Sequence, residues 1–219
     1  RDRYKTKGKV SDLELYVENK DVTGTISIGH TRWATHGKPN QINSHPHLSG
    51  DGTLSIVHNG IIENYDSLKK ILIEKGHSFI SDTDTEVLIH LIEEVKIKEN
   101  VTVFEAVRLA LTQVVGAYAI VIMDKENDRE LIVARKGSPL VVGVSDNEFL
   151  VGSDASPIFK YTDQVIYLQD GEIARLNCED KIEIKTINNE RVPPTIQKLE
   201  IKLENIEKDG FPHFMLKEI

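Results

Sequence analysis

Five of the eight histidines, His30, His36, His45, His47 and His58, fall within one stretch, HTRWATHGKPNQINSHPHLSGDGTLSIVHNG, which runs from His30 to Gly60 and also carries the only tryptophan, Trp33, beside Arg32. An ordinary loop does not require so many donors and acceptors, each of which must be paired or solvated. A guanidinium such as Arg32 grips a carboxylate through two parallel hydrogen bonds, and the Thr35 hydroxyl and His36 imidazole complete such a cradle. The Asp84 carboxylate suits an ammonium group, so the four together describe a receptor for an α-amino acid. Asn59-Gly60 supplies a side-chain amide and a backbone N–H at the end of a strand, the parts of an oxyanion hole.

Each of these has a plainer reading. Asp84 has the sequence context of a helix cap, and Arg32 that of a surface ion pair. Asn-Gly is the strongest short turn signal, and spacing alone favours the turn. The histidines do not have zinc spacing: His45 and His47 are two apart, His30 and His36 six apart, with no H-E-x-x-H and no cysteine nearby, so no metal is expected. Cys178 lies between Asn177 and Glu179-Asp180, where acidic neighbours disfavour the thiolate, and it reads as an inert strand-end residue.

The elements that must position these groups follow from periodicity. Residues 1–24 are polar, and the alternation of Leu13, Leu15 and Val17 indicates a short strand or an irregular connector. Thr25–His30 alternates Ile26 and Ile28 with small or polar residues and predicts a strand that delivers the HTRWATHG run. Lys38–Gly52 reads as loop, and Leu54–Val57 as a second strand that His58-Asn59-Gly60 ends. Helices are predicted over 64–75, after Thr83 with capping-box spacing to Glu86, and after Thr102 with the same spacing to Glu105, the last one ended by Gly116. From Tyr118 the pattern changes to short strands at 118–123, 131–135, 140–144, 149–152, 165–168, 172–176 and 182–187, with one helical turn at 156–161. Close spacing and tight turns favour antiparallel pairing. The Pro193-Pro194 pair marks a break, and 195–219 reads as a charged tail.

The chain has 219 residues, is 39% hydrophobic and carries a formal charge of −8. Length and apolar content suit one domain with a proper core. The acidic balance argues against nucleic acid, which rewards a basic face. A single cysteine fits a reducing compartment, no apolar run has the length of a membrane span, and the basic RDRYKTKGKV at residues 1–10 lacks the apolar segment of a signal peptide. A cytoplasmic protein is expected.

HTRWATHG at 30–37, NSHPH at 43–47, VHNGIIEN at 57–64 and SDTDTEV at 81–87 resemble the glutaminase domain of the glucosamine-6-phosphate synthases, class II glutamine amidotransferases of the N-terminal-nucleophile type. GAYAIVIMD at 116–124, ARKGSPLVVG at 134–143 and FMLKEI at 214–219 extend the resemblance over nearly the whole chain. It implies an α+β fold, a four-layer αββα sandwich with two antiparallel sheets. It implies that Arg32, Thr35 and His36 hold the α-carboxylate of L-glutamine, and that Asp84, with the Gly60 carbonyl, holds the α-amino group. Asn59 and the Gly60 N–H would form the oxyanion hole, Trp33 would belong to a loop closing over the substrate, and His45 would support the site. The reaction implied is hydrolysis of glutamine to glutamate, with the ammonia passed to fructose 6-phosphate to give glucosamine 6-phosphate, without a cofactor or metal. The nucleophile of such domains is an N-terminal cysteine, and no Cys-Gly-Ile motif is present, so the chain is expected to be a fragment that does not turn over glutamine. Residues 1–192 would be the glutaminase domain and 193–219 the linker toward a sugar-phosphate isomerase domain of the same polypeptide, in an enzyme that is a homodimer. Two other readings stand beside this: a class II domain of the phosphoribosyl-pyrophosphate or asparagine-forming type, and a non-catalytic amino-acid-binding module.

Overall fold

The computed structural model describes residues 2–32, 37–177, 179 and 181–199. In chain order the elements are α1 (Val10–Val17), β1 (His47–Leu48), β2 (Leu54–Ile62), α2 (Tyr65–Glu74), α3 (Asp84–Glu99), α4 (Val103–Leu111), β3 (Gly116–Asp124), β4 (Glu130–Lys136), β5 (Val141–Val144), β6 (Phe149–Gly152), β7 (Gln164–Tyr167), β8 (Glu172–Asn177), β9 (Lys181–Thr186), β10 (Arg191–Val192) and β11 (Gln197–Lys198). The strands form a seven-stranded sheet in the order β1-β2-β3-β4-β8-β9-β10 and a four-stranded sheet in the order β11-β7-β5-β6. Every named pair is antiparallel.

The period-2 alternation of the central strands divides the core. Tyr118, Ile120, Ile122, Ile132, Ala134 and Ile173 face one way and pack under residues of α2, α3 and α4, among them Leu68, Leu72, Leu88, Ile92 and Val107. Ala119, Val133, Ala174 and Leu176 face the other way and meet Val142, Ile166 and Leu168 of the smaller sheet. The far face of that sheet buries Val141 and Val165 under Ile158 and Ala155, which belong to the turn segment 153–161. The fold is α+β, two antiparallel sheets face to face with helices on the larger one. No helix among the described residues is long and apolar enough to cross a membrane.

Helix α3 is the element on which the site depends. It is buried almost all round, as a helix is when it packs against neighbours on every side. Asp84, Thr85, Glu86, His90 and Glu93 are therefore buried as well, at 2–5% exposure, and buried polar groups must find partners. At its start Thr83 Oγ1 accepts from the Glu86 N–H at 3.3 Å, the predicted cap. The Glu86 carboxylate does not return to Thr83 but accepts from Ile80 N (2.9 Å), Ser81 N (2.7 Å) and Ser81 Oγ (2.6 Å).

Several sequence expectations need correction. Thr25–His30 belongs to no strand. Alternation records two faces, whereas a strand also needs a hydrogen-bonded neighbour, and neither sheet among the described residues includes this segment. Leu13, Leu15 and Val17 lie in helix α1, not a strand; it buries no residue and starts with Lys9 N donating to Asp12 Oδ2 at 2.7 Å. Strand β2 is not ended by His58-Asn59-Gly60 but runs through it to Ile62, paired with β3 in unbroken register. Gly116 does not end α4, whose C-cap is Thr112. It opens β3 at φ +128, where a Cβ would collide with the Ile61 carbonyl oxygen. The turn at 156–161 is present, with Phe159 N donating to Ala155 O at 3.0 Å. In the tail, Gln197–Lys198 pairs with β7, and residues 200–219 lie outside the described residues, as does Cys178.

Candidate functional site

β1 pairs with β2 only at Ser55 and Ile56, so beyond Val57 the outer edge of β2 has no strand partner among the described residues. Antiparallel backbone groups point alternately to one neighbour and then the other. The Glu63 N–H bonds Val115 O on the β3 side at 2.8 Å, whereas the Ile62 N–H turns outward and donates to Asp84 Oδ2 at 2.8 Å. By the same alternation, the backbone N–H and C=O of Gly60 point to the open edge. Gly60 holds φ +128, and a Cβ there would run into the Ala117 carbonyl, so this backbone position admits only glycine.

At this edge His30, Thr31, Arg32, His45, His58, Asn59, Gly60, Thr83, Asp84 and Thr85 line a pocket of about 180 Å³, smaller than the ~300–1,000 Å³ of sites for drug-sized ligands. Five of the residues singled out from sequence, Arg32, His45, Asn59, Gly60 and Asp84, meet here although Asp84 is remote in the chain. Trp33, Thr35 and His36 lie outside the described residues. Asp84 caps nothing with its side chain; it is 4% exposed and ties the N-terminus of α3 to the edge of β2. The Arg32 guanidinium donates to the carbonyls of Gly37 (3.2 Å) and Lys38 (3.3 Å), bracing the turn that follows it. That turn is anchored to the foot of α3 by Asn43, whose Nδ2 donates to Lys38 O (3.1 Å) and whose Oδ1 accepts from Asp82 N (3.0 Å).

Two contacts set the chemistry. His30 Nε2 lies 2.7 Å from Asn59 Oδ1, and His58 Nδ1 lies 3.0 Å from Thr85 Oγ1. With Oδ1 of Asn59 occupied by an imidazole N–H, its Nδ2 is the end left to donate. The rings of His30 and His45 sit 4.1 Å apart, and those of His45 and His47 5.1 Å apart. Burial, first of all, pulls all three imidazoles below the ordinary range: His30 against the pull of its Asn59 bond, His45 furthest with His30 and His47 adding repulsion, and His47 down to about 4 with Lys5 adding to the effect. Among the described residues that line the pocket, the side chains that carry a fixed charge are Arg32, a cation, and Asp84, an anion. That balance matches a zwitterion.

His30, His58 and Thr85 are lining residues that motif reasoning did not assign. Their signal was only their place within the HTRWATHG, VHNG and SDTDTEV runs, because the partners stand 29 and 27 residues apart in sequence.

The glutamine amidotransferase domain family matches residues 30–160. The glutamine–fructose-6-phosphate aminotransferase (isomerizing) of Bacteroides thetaiotaomicron is 55% identical over 216 residues, covering 99% of this chain and 35% of that protein. The protein of the same name from Chlorobaculum tepidum is 48% identical over 222 residues, covering 98% and 36%. The chain therefore spans about a third of the length of the curated relatives it matches. Among solved structures, the Bacillus subtilis glutamine phosphoribosylpyrophosphate amidotransferase complexed with ADP and GMP superposes with a TM-score of 0.58 at 28% identity, over 72% of this chain and 34% of that one. A structure described as the allosteric regulatory enzyme of purine biosynthesis gives 0.60 with the same identity and coverage. An Asn-Gly pair on an open strand edge, facing an arginine and a buried aspartate, is thus found in a chain that belongs to the glutamine amidotransferase domain family.

Proposed function

We propose that the pocket binds L-glutamine and holds its side-chain amide for hydrolysis, as the glutaminase part of a glutamine–fructose-6-phosphate aminotransferase. Arg32 takes the α-carboxylate, with Thr35 and His36 in the same role. Asp84, one oxygen already occupied by the Ile62 N–H, offers the other to the α-ammonium, assisted by the Gly60 carbonyl. Trp33 belongs to the loop that closes over the substrate, and His45 supports His30. The charges of the described lining residues support this reading: one cation, Arg32, and one anion, Asp84, with burial holding His30 and His45 below the ordinary imidazole range.

The observation that carries the reaction is the 2.7 Å contact that occupies Asn59 Oδ1 beside the outward-pointing Gly60 N–H. A thiolate attacking the amide carbon pushes its electrons onto the amide oxygen, and donors preorganised for that oxygen lower the barrier. The Asn59 Nδ2 and Gly60 N–H are such a pair. Collapse of the tetrahedral adduct expels ammonia after proton transfer to nitrogen, and water then releases glutamate from the thioester. Among the described residues no thiol lines the pocket; the nucleophile belongs to an N-terminal cysteine of the whole enzyme. In that enzyme, which we take to be a cytoplasmic homodimer, ammonia passes to fructose 6-phosphate bound in a sugar isomerase domain, with residues 193–219 as the linker toward it.

Titration calorimetry of the chain with L-glutamine, L-glutamate and D-glutamine tests the binding step. Saturable 1:1 binding of the L-amino acids and none of D-glutamine is expected. Equal heats for both enantiomers, or no saturable binding, would overturn the assignment.

A further inference from the structure

We infer that His77, His90 and Glu93 form a binding site for a zinc-class divalent cation, separate from the glutamine pocket. Helix α3 presents His90 and Glu93 one turn apart on one face, and the segment after α2 brings His77 against them. His77 Nδ1 and His90 Nδ1 are 3.3 Å apart, His90 Nδ1 and Glu93 Oε2 are 3.3 Å apart, and His77 Nδ1 and Glu93 Oε2 are 3.5 Å apart. With metal–ligand bonds of ~2.1 Å, neighbouring ligand atoms of a tetrahedral zinc stand about 3.4 Å apart. The three atoms therefore already form one face of that tetrahedron.

The groups behind them support the same reading. Imidazoles that bind metals turn their second nitrogen to a carboxylate or carbonyl, which fixes the ring. His77 Nε2 lies 3.1 Å from Glu94 Oε2, and His90 Nε2 lies 3.8 Å from Glu86 Oε1. Glu93 is held in turn by the Gly50 N–H at 2.9 Å and the Asp51 N–H at 2.8 Å. Gly50 is what lets this backbone come so near: a Cβ there would stand 3.1 Å from Glu93 Oε2 and 3.4 Å from His90 Cε1. An ion-pair cluster needs each imidazole to face a carboxylate, which both Nε2 atoms already do. The two Nδ1 atoms converge both on the same Glu93 Oε2 and on each other, and a shared cation would hold all three.

His90 and Glu93 side chains are 3% and 6% exposed and His77 is 12% exposed. The cluster opens on a cavity of about 990 Å³ that Lys75, Ser78 and Asp51 also line. Two imidazoles and one carboxylate with a fourth position facing solvent is the donor set of zinc sites that exchange a ligand, not of closed structural sites. Sequence spacing did not show it because His77 and His90 meet only when α2 packs on α3. His90 stands six residues along α3 from Asp84, about 9 Å at the helical rise, so an ion here would brace the helix that carries the glutamine-site aspartate.

Protein stripped with EDTA is titrated with Zn²⁺ by calorimetry and with Co²⁺ by visible absorption. The expected result is one equivalent bound with a Kd below about 1 μM, and the strong d–d bands of low-coordinate Co²⁺. His77→Ala and Glu93→Gln should lose at least ~100-fold in affinity. Glu94→Gln, a change at a partly exposed second partner that leaves the core intact, should lose ~10–100-fold. Absence of saturable binding, or binding unchanged in both His77→Ala and Glu94→Gln, overturns the site. Should His77→Ala fail to fold, Glu94→Gln alone decides.

Discussion

Two groups of histidines flank the first half of α3, and the protein treats them oppositely. At the β2 edge His30 and His45 line the pocket, with His47 edge-on to His45 behind them, and burial above all pulls the three imidazoles below the ordinary range. Around the second group, burial also pulls on His90, but hydrogen bonds to Glu86 and Glu93 override it and push the imidazole up to about 9. Burial alone does not decide the charge of a histidine; the partner does. At the pocket, burial favours neutral His30 and His45 beside the charges of Arg32 and Asp84, while the carboxylate-rich cluster concentrates positive charge or whatever replaces it.

The largest way to break the pocket side of this contrast is Asp84→Asn. It removes the only anion among the described residues that line the pocket and places an amide opposite the Ile62 N–H. Glutamine affinity should fall by about 3 kcal/mol, since removing one partner of a buried charge-assisted contact costs ~2–5 kcal/mol, read by calorimetry against an unchanged circular dichroism spectrum.

Acid tests the contrast next. His47 has a folded pKa near 4 against about 6.5 when unfolded, so the neutral native form is favoured above 6.5 and the unfolded state takes up more protons below it. Its contribution is complete above about pH 6.5 and is lost as the pH falls toward 4, a loss on the order of 3 kcal/mol from this residue, with His30 and His45 acting in the same direction. Urea midpoints should decline from pH 7 to pH 4.5, and His47→Asn should flatten the decline.

Glu86→Gln probes the opposite side. Glu86 is held down to about 2 despite burial, by bonds from His90, the Ile80 and Ser81 N–H groups and the Ser81 hydroxyl, and a Gln amide turned toward those donors loses an acceptor. We expect about 2 kcal/mol of destabilisation in urea melts at pH 7. The smallest effect is His30→Ala. It frees Asn59 Oδ1 and lets the amide rotate, so in the whole enzyme glutaminase kcat should drop about tenfold with KM nearly unchanged, a fraction of the ~10²–10³ lost when an oxyanion donor is removed outright. An equal rise in KM would mean that His30 acts on binding instead.

The sequence was most legible where local rules suffice. The caps at Thr83 and Thr102 and the strands from Tyr118 onward were read within a residue or two, because capping spacing and alternation are local. Asn59-Gly60 misled, since a turn signal is a statement about φ, and here positive φ serves a close strand approach to Ala117 instead of a reversal. Thr25–His30 misled because pairing is not local. Arg32 and Asp84 were picked out by chemistry, but the His30–Asn59 and His58–Thr85 contacts, which fix the donors, join residues far apart in the chain and had no periodicity to reveal them.

The most direct test of the account is amide shift mapping in ¹⁵N-labelled chain titrated with L-glutamine. The account predicts saturable shifts at Gly60, Ile62, Asp84 and Thr85 and at the Asn59 side-chain amide, with His77 and Glu93 unmoved. Shifts centred on His77, His90 and Glu93, or no saturable shifts at β2 and the start of α3, would contradict it.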